Sequence, residues 1–377
     1  MKNNGRWLPR LLVTAGFTIA AFAIAAVILA VMNANVLDAF RVIFLYPFSS
    51  MKTISGAINV MTPLAIIGIG ICAAYRGGFV NIGGEGQMTM GILLSLIVGL
   101  QTTDWPRGLA LLAVLLAGMI GGGLWGALAG FLKTRFHVSE LLSTVMLNYV
   151  AAQIYAYCLR VPMIDPEVKT GGGDIQTVKL GKNIWLSKLN EWFPTIAKDA
   201  RIHTGILIAL VLAVVVFLFL WKTTPGYKMR AAGASPRASR YGGIKVDKYV
   251  VLAVMISGMC CGLAGTIEVL GVHHRGMSGI TGGYGFTGIV VALFGGLHPL
   301  GVLPAAFFFA FISFGCSSLQ INHIALPSNT IDMLLGLVIL MVVSAKTVLA
   351  NRYMMAKVQR FVTRFFDWRK GGVPNHD

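Results

Sequence analysis

Charge is scarce in this chain. Asp, Glu, Lys and Arg make up 12% of its 377 residues, where a soluble domain carries roughly 25%. Acids are the scarcer sign, 14 against 31 bases. With 56% hydrophobic residues, so few charges cannot cover a water-soluble surface, and the composition is that of an integral membrane protein. Other signatures are missing as well. No Walker-type phosphate loop occurs; the nearest string, Leu180-Gly181-Lys182-Asn183, lacks the upstream glycine and the hydroxyl residue, so ATP is not bound by that route. No nucleophile–base constellation is visible, and no cofactor is expected in this chain. The five cysteines (Cys72, Cys158, Cys260, Cys261, Cys316) lie in apolar segments without metal-ligand spacing and read as small packing residues. The formal charge of +17 sits in loops rather than on an aromatic-interleaved face, so nucleic acid is not the expected partner. The apolar run 11–32 behind Lys2, Arg6 and Arg10 has no convincing small-x-small cleavage site. It also exceeds the roughly 7–15-residue core of a signal peptide, so it reads as a retained anchor.

What the chain does have is apolar runs, at 11–32, 53–75, 82–100, 108–132, 139–160, 204–221, 249–271, 284–296, 300–319 and 330–348. The expected fold is an all-α polytopic membrane protein of about ten spans. Residues 1–10 form an N-terminal segment, 11–348 the membrane domain and 349–377 a basic tail. Ten crossings put both termini on one side. With those termini inside, 20 of the 31 Lys/Arg fall in inner segments, and seven of the other 11 belong to one long outer loop, 160–203. The positive-inside rule therefore places both termini and 222–248 in the cytoplasm. In the outer loop Trp185, Leu186, Leu189, Trp192 and Phe193 fall at helical spacing, which suggests a short amphipathic helix at the interface. The tail repeats that pattern with Met354, Val358, Phe361, Val362, Phe365 and Phe366.

Two of the spans are interrupted by glycine: Gly83-Gly84-Glu85-Gly86 opens one and Gly282-Gly283-Tyr284-Gly285 the other. Spans two to five map onto seven to ten at this offset, but in opposite directions, which gives two inverted five-helix halves. Short, glycine-interrupted segments at matching places mark the pathway in transporters, against the plainer reading of sharp turns at the membrane edge. Gly118, Gly122, Gly126 and Gly130, with Gly258 and Gly262 elsewhere, are faces for close helix approach. Four acids lie in or beside spans. Glu85 is the pathway candidate. Glu140 and Asp332 suit helix starts, and Glu268, near His273, His274 and Arg275, suits a salt bridge better than a metal site.

The inner loop 222–248 carries seven Lys/Arg against Asp247 alone. Thr224-Pro225 and Ser235-Pro236 each read as a cap followed by Pro at a first helical position, and Gly233 and Gly242 as helix stops. Two short capped helices favour a docking element for a cytoplasmic partner over a plain solvated loop.

The strings YRGGFVNIGGEGQM (75–88), PGYKMRAAGASPRASRYGGI (225–244), GLAGTIEVLGVHH (262–274) and TGGYGFTGIVVALFGGLHPLGVLPAA (281–306) resemble the permease subunits of bacterial ABC importers. The similarity is to the branch that handles simple sugars, ribose and nucleosides, and within it to the larger permease of nucleoside-type systems. It covers roughly 55–345. It implies a multi-pass protein of the bacterial inner membrane whose 225–244 segment contains a coupling helix seated on a separate ATPase. Gly226, Tyr227, Met229, Arg230, Gly233 and Arg237 are then the coupling residues. It also implies an extracytoplasmic solute-binding protein and a second, different permease chain. A nucleoside or sugar is consistent with a pathway offering Asn81, Glu85, Gln87, Asn148, Tyr149 and Tyr284. Two other classes stay open at this stage: an ion-coupled secondary carrier using Glu85 and Glu268, and a non-transporting membrane scaffold.

Overall fold

The structure, a computed structural model, describes residues 34–171, 173–192 and 201–319, with most of 16–32 and five isolated positions between 333 and 344. The expected span 330–348 and the basic tail 349–377 lie almost wholly outside the described residues, and 11–32 partly so. Apart from three isolated β-bridges, the secondary structure among the described residues is helical. The helices include α1 (Val36–Leu45), α2 (Met51–Arg76), α3 (Gly84–Gln101), α4 (Arg107–Phe136), α5 (Glu140–Arg160) and α6 (Gly205–Lys222). There follow α7 (Thr224–Ala234), α8 (Pro236–Tyr241), α9 (Val246–Glu268), α10 (Tyr284–Phe294) and α11 (Pro299–Ser317). Helices α2–α6 and α9–α11 match the eight inner apolar runs to within about four residues at each end.

Among the described residues six helices are long and apolar enough to cross a membrane: α2, α4, α5, α6, α9 extended to His273, and α11. Helix α10, with 11 residues, is too short for a crossing of roughly 20 residues. Helix α3 has 18 residues and opens on the polar string Gly-Glu-Gly-Gln.

The chain divides into two compact units. In the first (1–46 and 315–377), Asn35 caps α1 by accepting from the Leu37 and Asp38 N–H groups. The second, Pro47–Phe314, holds the helical core. Helix α2 starts from a capping box in which Ser50 and Thr53 satisfy each other's backbone N–H. Helices α2 and α9 are mostly buried, whereas α5 and α6 leave most of their apolar surface uncovered. That is the pattern of central and peripheral helices in a body meant for lipid. The most extensive packing in the unit joins α4 to α9. The glycine faces read from the sequence meet there: a Cβ on Gly122 would overlap the Gly258 carbonyl oxygen, and one on Gly258 the Gly122 oxygen. Gly91 of α3 approaches Gly262 equally closely. The three helices are in contact backbone to backbone.

Helix α9 does not end cleanly. It passes into a π turn, Val269–His273, and stops at His274 with φ 57°. Against that end lies the 173–192 segment, which differs from expectation. It is not one amphipathic helix; it has a 3-10 turn at Lys182–Ile184 and a four-residue helix at Leu189–Trp192. Leu180, Ile184 and Leu186 are buried, with Leu180 and Ile184 covering Gly99 of α3. Its backbone is tied to α9 and beyond: Leu186 N donates to Leu270 O (3.1 Å), Leu180 N to His274 O (2.9 Å) and Thr177 N to Gly276 O (2.9 Å). Trp185 stacks on His274 at 3.9 Å, and Lys179 Nζ lies 5.0 Å from the Trp185 ring. Apolar residues that could have faced lipid from a helix are taken up by the protein's own surface, and the segment is a strap. Trp192 and Phe193 have no described side chains.

Candidate functional site

Between α2 and α3 the chain leaves helical geometry at residues 77–83, and this break lies deep in the bundle. Asn81 Nδ2 donates to Ser257 Oγ (2.9 Å), and Ser257 is roughly 17 Å along α9 from its start at 1.5 Å per residue. Irregular backbone so placed has no water to bond to, so its polar groups need partners within the protein. The amide side chains supply them. Asn81 is fully buried; its Oδ1 accepts from Gly83 N (2.9 Å) and from Gln87 Nε2 (3.1 Å), and its Nδ2 donates to Gln87 Oε1 (2.8 Å). Asn148, reaching in from α5, accepts from Gly86 N (2.8 Å) and donates to Ile82 O (3.1 Å). Two donors at or near the start of α3 are thus capped from outside the helix.

Glu85 does the same for another helix. Its carboxylate accepts from Gly285 N at 2.8 Å, with Thr281 and Gly283 of the same turn beside it. Helix α10 has no side-chain cap of its own; Gly283 stands before it at φ 73°. A Cβ on Gly285 would fall on the Glu85 backbone, and one on Gly84 would stand 3.2 Å from Gly285 O. The two glycine strings, about 200 residues apart, therefore touch. A single carboxylate sits where two helix N-termini converge, a position that favours negative charge.

Of the six residues expected to line a pathway, Asn81, Gln87, Asn148 and Glu85 share this junction. Tyr284 opens α10 beside it, half-buried. Tyr149 is 65% exposed on α5 and belongs to no such cluster. Ser257 and Thr281 also take part; a lone hydroxyl in an apolar or glycine-rich run gave no signal for either. Glu268 pairs with His273 at 3.5 Å, as the sequence suggested. Glu140, in the first turn of α5, pairs with Lys133. Asp332 lies outside the described residues.

The basic loop forms two helices with a proline in the first turn of each. The cap of α7 is Thr223, whose hydroxyl oxygen accepts from Gly226 N (3.2 Å), one residue earlier than expected. Gly233 is not a left-handed stop: it lies within α7, pressed on the backbone of Arg76, Gly77 and Gly78. The left-handed glycine is Gly243, at φ 75° after α8. Gly226 and Met229 are buried in the chain itself. Arg230 donates to Leu220 O (2.9 Å) and lies over Trp221. Ala232 joins Phe79, Ala129, Val246, Val250 and Val254 in one apolar cluster. The free side of the loop shows Tyr227 (61% exposed), Arg237, Arg240 and Tyr241 (96% exposed).

A polytopic helical protein with a polar junction of broken helices at mid-depth and a folded polar loop at one end has the build of a membrane transport subunit. Residues 53–343 match the family described as branched-chain amino acid transport system, permease component. The chain is 32% identical over 354 residues to the guanosine ABC transporter permease protein NupP of Bacillus subtilis, covering 94% of this chain and 98% of that one. It is 28% identical over 295 residues to the nucleoside ABC transporter permease protein NupB of Lactococcus lactis, covering 78% and 80%. To the glucose ABC transporter permease protein TsgB13 of Haloferax volcanii it is 27% identical over 332 residues, covering 87% and 86%. The chain belongs to this family of ABC transporter permeases: it is a transport subunit and not the ATPase.

Proposed function

We propose that this chain forms the translocation pathway of an ABC importer for a nucleoside or simple sugar. The observation that carries the reading is the meeting of the two glycine strings at Glu85 and Gly285, deep beside α9. Broken helices whose N-termini converge near mid-membrane are how transporters build a polar site inside a bilayer. The cargoes for which NupP, NupB and TsgB13 are named, guanosine, nucleosides and glucose, supply the cargo class. The amides brace the broken backbone, and the Tyr284 ring beside them suits ring-bearing molecules.

The same reading takes the bundle as ten spans in two inverted halves, with α3 and α10 as the matched short segments. Both termini and the α7–α8 loop lie in the cytoplasm of a bacterium, and the strap lies outside. Loop α7–α8 docks on a separate ATPase through Tyr227, Arg237, Arg240 and Tyr241. Gly226, Met229, Arg230 and Gly233 fasten it to α2, α6 and α9, so that motion of the ATPase reaches the spans. An extracytoplasmic binding protein delivers the cargo, and a second, different permease completes the pathway.

The test is uptake of labelled guanosine, uridine and glucose in cells with and without the gene. Vanadate-sensitive uptake that disappears on deletion is expected. Uptake resistant to vanadate but abolished by a protonophore would replace the ABC reading with an ion-coupled carrier. Unchanged uptake on deletion would leave a scaffold.

A further inference from the structure

Helix α6 leaves most of its apolar surface uncovered. Leu207, Val211, Val214 and Leu218 are exposed along it at helical spacing and form one stripe. The same spacing carries the stripe to Trp221 and Lys222 in the last turn. Trp and Lys at the end of a lipid-facing helix mark the level of the headgroups. From Val211 to Trp221 is roughly 15 Å at 1.5 Å per residue, the depth of one leaflet of a hydrocarbon core about 30 Å thick.

At that level two half-buried guanidinium groups share the Trp221 ring. Arg76, the last residue of α2, lies 5.5 Å from the ring centroid, and Arg230 of α7 lies 5.3 Å from it. Both heads are pinned through Nε, which donates to Leu297 O at 3.0 Å in Arg76 and to Leu220 O at 2.9 Å in Arg230. Leu297 holds its carbonyl there from φ 54°, a conformation that branched side chains rarely adopt. The next residue, His298, packs on Trp221 at 4.9 Å and on Phe217 at 5.3 Å. The ends of α2 and α6, helix α7 and the α10–α11 turn thus converge on one indole. The ion pairs among the described residues are Arg41–Asp38, Lys133–Glu140, Arg240–Asp247 and His273–Glu268, and neither guanidinium belongs to one. The Nη donors of both heads also find no acceptor among the described residues. Like charges fixed over one ring repel each other, and at the edge of a bilayer little water is present to screen them, so the pair calls for an anion.

We propose that Arg76, Arg230 and Lys222 bind the phosphodiester headgroup of an anionic phospholipid whose acyl chain lies along the α6 stripe. The Nη groups of the two forks supply the hydrogen bonds to the phosphate oxygens, and Lys222, exposed at the helix end, adds a third cation. Basic pockets between spans suit such headgroups. The occupant is a lipid and not a free anion because the charges stand at the end of an uncovered apolar stripe one leaflet deep. A zwitterionic lipid is disfavoured, since its headgroup brings a cation of its own to the cluster. In the topology proposed above, the site faces the cytoplasmic leaflet. It follows from the membrane build of the chain and does not depend on which cargo crosses.

The experiment uses the assembled transporter, delipidated in detergent, with phosphatidylglycerol or phosphatidylcholine of the same acyl chains added back. Bound lipid is read by native mass spectrometry, and Tm is followed on the same samples. The wild type should prefer phosphatidylglycerol about tenfold, and its Tm should rise with that lipid alone. Arg76→Gln should abolish the preference and Lys222→Gln should weaken it. Arg76→Lys, which keeps the charge but loses the fork, should fall between. Arg135→Gln removes an exposed cation at the end of α4 and should leave the preference intact. Equal retention of the two lipids by the wild type would overturn the proposal and leave the stripe to a second chain. An unchanged preference in Arg76→Gln, or an equal loss in Arg135→Gln, would overturn it as well. Inorganic phosphate separates the two sources of the anion: if it raises the Tm of the delipidated protein as much as phosphatidylglycerol does, the site belongs to a free anion. Should Arg76→Gln fail to assemble, Arg76→Lys and Lys222→Gln carry the same test. None of these readouts needs transport, so failure of the proposed function would leave them standing.

Discussion

Replacing Gly233 by valine tests how α7 is joined to the bundle. Gly233 has ordinary helical backbone, so the substitution carries no φ penalty; what it meets is backbone. A Cβ there would stand 2.6 Å from Gly78 N and 2.8 Å from the Gly77 carbonyl carbon, and would overlap the Arg76 oxygen. Ordinary contact begins near 3.4 Å, so α7 must retreat by roughly 1 Å to clear the Arg76 oxygen, and close-packed backbone cannot absorb that locally. Overpacking of this kind costs about 1–3 kcal/mol, and two further methyl groups put valine at the upper end. About 3 kcal/mol is roughly a hundredfold shift in the equilibrium between seated and unseated α7. Uptake should fall at least tenfold, and ATPase co-purification should fall with it. The protein should remain in the membrane, because α6 and α9 keep their own packing. Gly233→Ala should show a smaller loss in the same direction. Wild-type uptake together with wild-type co-purification in Gly233→Val would refute the argument that this contact transmits motion.

Three further outcomes are expected. Glu85→Gln weakens the trans-cap on α10 from a charged to a neutral acceptor, about 1 kcal/mol; uptake should drop several-fold with assembly intact, and an unchanged rate would return the glycine strings to simple turns. Cysteines placed at Lys182 and Ser235, both exposed, should label from opposite faces of the membrane, and labelling from one face would overturn the inverted topology. His203 is fully buried, and burial, aided by the charge of His274, pushes its pKa down from 6.5 to about 4. The unfolded chain then binds the proton first, so the stability His203 contributes is complete above pH 6.5 and is lost as pH falls toward 4. Hydrogen exchange in the strap should quicken over that window in the wild type but not in His203→Asn.

The helical segments were legible because apolar run length is a strong signal: eight of them appear within a few residues of where the sequence placed them. The glycine faces were legible for a similar reason, since a four-residue repeat has one geometric meaning on a helix. Partner identity was harder to read. Asn81, Gln87 and Asn148 looked like a lining because polar residues in a span are costly, but the same cost is met when they bond to one another and to broken backbone. The resemblance makes Met229 and Arg230 coupling residues, yet Met229 is fully buried and Arg230 caps the end of α6. The strap defeated periodicity. Trp185, Leu186 and Leu189 fit a helix by spacing, and nothing local reveals that Gly99 and Leu270 wait to receive an irregular segment.

The backbone contact of α4 with α9 bears on what can move. Where side chains separate two helices, they can change rotamers and let one helix slide past the other by an ångström or two. Between Gly122 and Gly258 there is no such lubricating layer, because each glycine rests on the other's carbonyl oxygen. Sliding would drive peptide groups into one another, so the pair behaves as a single beam. Helix α3, seated on it through Gly91 and Gly262, is carried along. A transport cycle must then turn this three-helix block as one piece.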